Sequence, residues 1–189
     1  MTRKGFVAFI FLLAGVVFGL AQAELEEFPP GATLMVWTLS GSELATPQTL
    51  RLSVEGLPNG RFRVQLSIEA EGAPDELGML GFLGSAVYVQ SAGANLDLAA
   101  LLTLIRRRDL LQVGEEYALP GGILFRVQRT EDIAGVTCLV GEYTPPDAPT
   151  TRVELGFALS DPVYFLPRLR VVKGEEVTFE MELVEYSRP

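Results

Sequence analysis

Apolar and polar positions alternate along much of this chain, and the alternation predicts antiparallel strands. Leu50, Leu52 and Val54 interleave with Arg51, Ser53 and Glu55; Phe62, Val64, Leu66 and Ile68 interleave with Arg61, Arg63, Gln65 and Ser67. Gly56 to Gly60 lies between the two runs, so the pattern reads as a hairpin with one buried and one wet face. A period of two implies an antiparallel sheet with a solvated side, because strands of a parallel sheet covered on both faces are apolar throughout. Thr33 to Leu39 is a more uniformly apolar strand. Ile123 to Gln128, a turn over Glu131 to Gly135, and Val136 to Tyr143 predict a second hairpin. Three prolines between Thr144 and Pro149 cannot donate to a ladder, which makes that stretch a connection or a crossing. Val153 to Leu159 alternates again, and Val163 to Val172 continues extended with Pro167 at an edge or bulge. A turn at Lys173-Gly174-Glu175 then leads to a last strand in which Val177, Phe179, Met181 and Leu183 share a face.

The period changes once. Leu98, Leu101, Leu102 and Ile105 fall at i, i+3, i+4 and i+7, Asn95 can cap the start and Asp97 suits its positive end. This predicts an amphipathic helix over Asn95 to Leu111, closed by Arg106-Arg107-Arg108 and left at Gly114. The fold class that follows is mainly β (α+β): a curved antiparallel sheet or half-barrel packed on one amphipathic helix. Gly78-Met79-Leu80-Gly81-Phe82-Leu83-Gly84 carries glycine at every third place but neither phosphate-loop spacing. It reads as a bulged strand or loop where backbones approach closely, or as an apolar flap.

The first residues alter the picture. Arg3 and Lys4 precede the uncharged run Phe6 to Leu20 of 15 residues, and Ala21-Gln22-Ala23 is a small-x-small site. Residues 1–23 therefore read as a cleaved signal peptide, since a spanning helix needs about 18 or more apolar residues and acidic Glu24, Glu26 and Glu27 follow. Residues 24–189 are expected to form a single exported β-rich domain, periplasmic or secreted, with no stable membrane span after cleavage. Losing Arg3 and Lys4 from 15 basic residues leaves 13 against 24 acidic ones, a formal charge of −11. Such a surface argues against nucleic acid as a partner. The single cysteine, Cys138, lies in an apolar strand pattern and can form no internal disulfide, so stability must come from burial.

Candidate chemistry is sparse. The chain has no histidine, so the usual general base, charge-relay triads and the commonest metal ligand are missing. Carboxylate pairs such as Glu115 with Glu116, or Glu131 with Asp132, sit where acidic side chains are ordinarily solvated. No cofactor or metal motif emerges, and the expectation is a protein that is not an enzyme. The arginine triplet reads as a dipole-stabilising helix end or as a greeting for an anionic head group. Trp37, Met35 and Tyr88 read as core or as pocket lining.

The order of signal peptide, antiparallel strands, one helix and further strands resembles the bacterial envelope half-barrels of the LolA/LolB/LppX type. The likeness is strongest in Arg152 to Leu159, Tyr164 to Val171 with Pro167, Gly174, and Val177 to Glu185. It implies a curved sheet around a helix with an apolar cavity, although such carriers have several helices and no lipobox is present here. More apolar surface than one helix can cover, in an exported chain without catalytic groups, leads to the expectation of a non-enzymatic protein binding a lipid-like or other hydrophobic ligand, lined by Met35, Trp37, Met79, Phe82, Tyr88, Leu98, Leu102 and Phe157. The alternative is a structural or protein-interaction module of the envelope whose exposed strand edges, or glycine-rich segment, bind another protein.

Overall fold

A computed structural model describes residues 31–42, 44, 46–72, 103–104, 107, 110–159 and 166–189. Strands β1 (Ala32–Ser40), β2 (Gln48–Leu57) and β3 (Arg61–Ala70) form an N-terminal meander. A second meander runs through β4 (Glu116–Ala118), β5 (Leu124–Ile133), β6 (Val136–Tyr143), β7 (Thr151–Ala158), β8 (Arg168–Lys173) and β9 (Glu176–Ser187). β1 pairs antiparallel with β9, joining the two into one open nine-stranded sheet of order β3-β2-β1-β9-β8-β7-β6-β5-β4. The antiparallel, mainly β expectation holds.

The period of two explains the sheet's two faces. Met35, Trp37, Leu52, Val54, Val153, Leu155, Phe157, Leu169, Val171 and Leu183 are buried on one side, in registers that set Met35 against Leu52 and Leu169 against Leu155. The other side carries charge in matched pairs. Glu55 stands opposite Arg63, Arg126 opposite both Glu116 and Glu142, Arg168 opposite Glu182, and Arg170 opposite Glu180. Opposed charges reward this register and penalise a slip, which would turn the apolar set outward.

The sheet is strongly coiled. β5 comes back into contact with β9 although three strands separate them in the ladder order, where a flat sheet would hold them about 19 Å apart. Bulges between Val36 and Trp37, Val127 and Arg129, and Val171 and Val172 add to the twist. Gly156 makes room for the curl: a Cβ there would stand 3.2 Å from both Arg168 Cβ and Ile133 Cδ1. Gly141 does the same on the apolar side, where a Cβ would lie 2.5 Å from the Arg126 carbonyl oxygen and from Phe125 Cζ. That space lets Phe125 meet Phe157 edge-to-face, with centroids 5.7 Å apart at 87°.

Three details differ from the sequence reading. The turn expected over Glu131 to Gly135 is only Ala134-Gly135, both at positive φ (51° and 79°), because β5 stays extended to Ile133, which is buried. The extended stretch expected from Val163 begins as β8 at Arg168, directly after Pro167; residues 160–165 lie outside the described set. The helix expected over Asn95 to Leu111 falls mostly outside it too. Among the described residues only Thr103 and Leu104 are α-helical, and no helix reaches seven residues, so a sheet packed on one helix is not part of the observed architecture. Thr144 to Thr150 forms no strand, as its prolines require.

Candidate interaction surface

Of the eight expected lining residues, Met35, Trp37 and Phe157 are described and share the apolar face; Met79, Phe82, Tyr88, Leu98 and Leu102 lie outside the described residues. Met35, Trp37 and Phe157 are 0%, 2% and 3% accessible and belong to the buried hydrophobic cluster. They pack against the other buried side chains of the sheet's apolar face. Trp37 donates its indole N–H to the Leu166 carbonyl at 3.0 Å, anchoring β1 to the segment before β8. Cys138 is likewise fully buried, its Sγ 3.3 Å from the Val136 carbonyl oxygen.

The charged face could offer catalytic carboxylates or an anion site, and its electrostatics argue against both. Arg168, only 8% accessible, reaches Glu182 at 2.9 Å and Glu131 at 2.9 Å, with Glu154 at 3.8 Å. Arg129 adds bonds to Glu131 at 2.9 Å and Glu154 at 3.2 Å, so one network ties β5, β7, β8 and β9. Burial works against charge on Glu131, but hydrogen bonds from Arg168 and Arg129 outweigh it and hold the carboxyl below the usual carboxylate range. Burial likewise opposes charge on Arg168, and the hydrogen bonds to Glu182 and Glu131 leave its pKa above the ordinary arginine value. A carboxylate held ionised by two arginines is a poor proton donor. Glu116 is engaged by Arg126 at 2.8 Å, and Asp132 accepts from the Gly135 N–H at 3.0 Å, so these acids hold strands and a turn. Among the described residues no three His, Cys, Asp or Glu side chains gather as a metal site.

A recess of about 220 Å³ beside β4 is lined by Leu104, Arg107, Leu111, Tyr117 and Leu119. It is smaller than the roughly 300 to 1,000 Å³ of pockets that enclose a drug-sized ligand. The Tyr117 hydroxyl accepts from the Gln112 N–H at 2.8 Å and donates to the Leu110 carbonyl at 3.0 Å, closing the loop over it. Of the arginine triplet only Arg107 is described, and it is exposed at this rim.

The sheet's two ends differ. At one end β4 has three residues, and β5 behind it is bulged and carries Arg129, Glu131 and Asp132, devices that discourage further pairing. At the other end β3 is ten residues long, contains no proline, and keeps unbroken register with β2. No described strand pairs with its outer side. Leu66 is 46% accessible there, and Phe62, Val64 and Ile68 are half-buried. An edge of this kind is a template for strand addition. Alternation revealed β3 in the sequence, but its place at the border could not be read from it.

No family model matches the chain, and no curated protein does. Among solved structures it is similar to "The complex structure of Pseudomonas aeruginosa MucA/MucB", at 9% identity over 82% of this chain and 51% of that one, TM-score 0.44. It is also similar to MucB in complex with MucA(peri), at 11% identity over 93% and 56%, TM-score 0.45. A structure of MucB matches at 8% identity over 93% and 58%, TM-score 0.40. The chain thus spans little more than half the length of the chains it matches. The likeness carries no activity or partner over to this chain.

Proposed function

We propose that this protein is a non-enzymatic interaction module of the bacterial cell envelope and that the outer edge of β3 is its binding element. In this reading residues 1–23 are removed on export, and 24–189 work as one domain in the periplasm or outside the cell. The observation that carries it is a ten-residue edge strand that exposes Leu66 and whose outer side meets no other described strand, at the end of a sheet whose other end is protected. The carboxylates tied to arginines on the charged face support the non-enzymatic part.

A photo-crosslinking side chain placed at Gln65, with exposed Glu175 as the control position, tests the reading in envelopes of the native host. A covalent protein adduct from position 65 and none from 175 is expected. Equal labelling, or none at 65, counts against β3 as a binding element.

The competing reading is a carrier in which a half-barrel and the helix Asn95 to Leu111 enclose a lipid-like ligand. Tight packing of Met35, Trp37 and Phe157 weighs against it. Native mass spectrometry of the protein purified from its host separates the two. A mass excess lost on denaturation would restore the carrier.

A further inference from the structure

We infer that the occupant of the β3 edge is a second copy of the same chain, pairing β3 with β3 antiparallel about a two-fold axis through Leu66. The inference rests on the reading of β3 as a protein-binding edge and commits that edge to one partner.

Backbone direction comes first. The Gly56 N–H donates to the Gly31 carbonyl at 2.9 Å, so Gly56 turns its polar groups toward β1 and away from β3. Orientation alternates along a strand, so Leu57, Glu55, Ser53 and Arg51 face β3. Their partners Arg61, Arg63, Gln65 and Ser67 face back toward β2. Phe62, Val64, Leu66, Ile68 and Ala70 therefore point their N–H and C=O groups outward. Two copies meeting at Leu66 exchange both bonds between the two Leu66 residues, and again wherever Val64 faces Ile68 and Phe62 faces Ala70.

Side chains agree with that register. On the apolar face it sets Leu66 against Leu66 and Val64 against Ile68, covering the most exposed hydrophobic residue of the strand. On the polar face Arg63 meets Glu69, Arg61 meets Glu71, and Gln65 meets Ser67. The two-fold axis repeats each ion pair, giving two Arg63–Glu69 pairs within the paired strands and two Arg61–Glu71 pairs at their ends, Glu71 directly following the last residue of β3. Moving the axis to Val64 or Ile68 removes all of them, and moving it to Gln65 sets Arg63 opposite Ser67 and keeps only Arg61 opposite Glu69, two ion pairs in place of four. Opposite charges face each other across a strand pair, and the same patch serves both partners, as a closed isologous interface demands. Arg63 already holds Glu55 at 2.7 Å with 64% of its side chain accessible, so its remaining donors are open to Glu69 of the second copy.

The experiment is light scattering on the exported protein across low to high micromolar concentration, since a seam of two edge strands falls below the about 1,200 Å² of a stable interface. A mass rising from monomer to dimer is expected. Arg63→Glu sets Glu against Glu69 and is expected to raise the dissociation constant about tenfold or more; Glu69→Arg does the same. The double variant restores opposite charges and is expected to return near wild type. Both sites are exposed, and an unchanged circular dichroism spectrum shows that the variants remain folded. A monomer at every concentration, a dimer indifferent to Arg63→Glu, or a double variant no better than the singles overturns the inference. The Gln65 crosslink separates the two readings: an adduct of twice the chain mass supports the self-pairing. An adduct with a different protein from a wild type that stays monomeric overturns the self-pairing and leaves the interaction module standing.

Discussion

Arg168 is held by carboxylates from three other strands, and its burial makes those contacts consequential. Replacing it by leucine leaves Glu131, Glu154 and Glu182 without it, a loss expected to cost about 3 kcal/mol near neutral pH. Glu131 in the folded protein has a pKa below its unfolded value of about 4.3, so its stabilisation is full above that value and lost as pH falls through the folded one. The variant has little of this to lose. The gap between wild type and Arg168→Leu in urea denaturation should therefore hold steady from neutral pH to about pH 5 and narrow as pH falls below about 4; a gap that widens there would refute the role given to Arg168. This network was not legible in the sequence, because Glu131 and Arg168 are brought together by sheet coiling and no local spacing encodes that. Cys138 was legible, since a thiol inside an apolar alternating run has few alternatives to burial. Met35, Trp37 and Phe157 lie buried on the apolar face, and an apolar strand pattern alone cannot tell a packed core from a cavity wall.

Among the elements, the β5–β6 hairpin is bought at the cost of strain at Ala134, which holds φ 51° where Asn or Gly is at ease. Ala134→Asn should stabilise the protein by about 1 kcal/mol, seen as a higher thermal midpoint. No rise, with the fold intact, would mean that the turn relaxes in solution. Gly141→Ala, in contrast, drives a methyl into the Arg126 carbonyl and the Phe125 ring and should cost about 1 to 3 kcal/mol by the same measurement. A neutral result would show that Phe125 can swing away. Hairpin positions were readable because alternation and turn residues agree. The β5 turn was read too wide because acidic residues before a glycine imitate a loop, whereas Glu131 is paired across the sheet and Ile133 is buried.

For the whole molecule, the open sheet makes a directional forecast for amide exchange in dilute solution. Amides of Phe62, Val64, Leu66 and Ile68 should exchange fast while those of Arg63, Gln65 and Ser67 stay protected; uniform protection along β3 in a monomer would mean that its outer side is covered. Antiparallel character was evident from the pattern, but the neighbour relation of β1 and β9 was not, since nothing in two apolar strands names the one they will meet. That single junction also governs how the chain can find its fold. Among the described strands every other ladder joins strands consecutive in sequence, and only β1–β9 spans from the first strand to the last. Its closure is the costly entropic step, and the two meanders can form before it. Gly31 and Pro189 adjoin at the junction, where a Cβ added to Gly31 would lie 2.5 Å from Pro189 Cγ. A circular permutant joined there and opened between β3 and β4 would run β4 to β9 and then β1 to β3, turning the same sheet into an unbroken up-and-down meander whose refolding should be faster than that of the natural order.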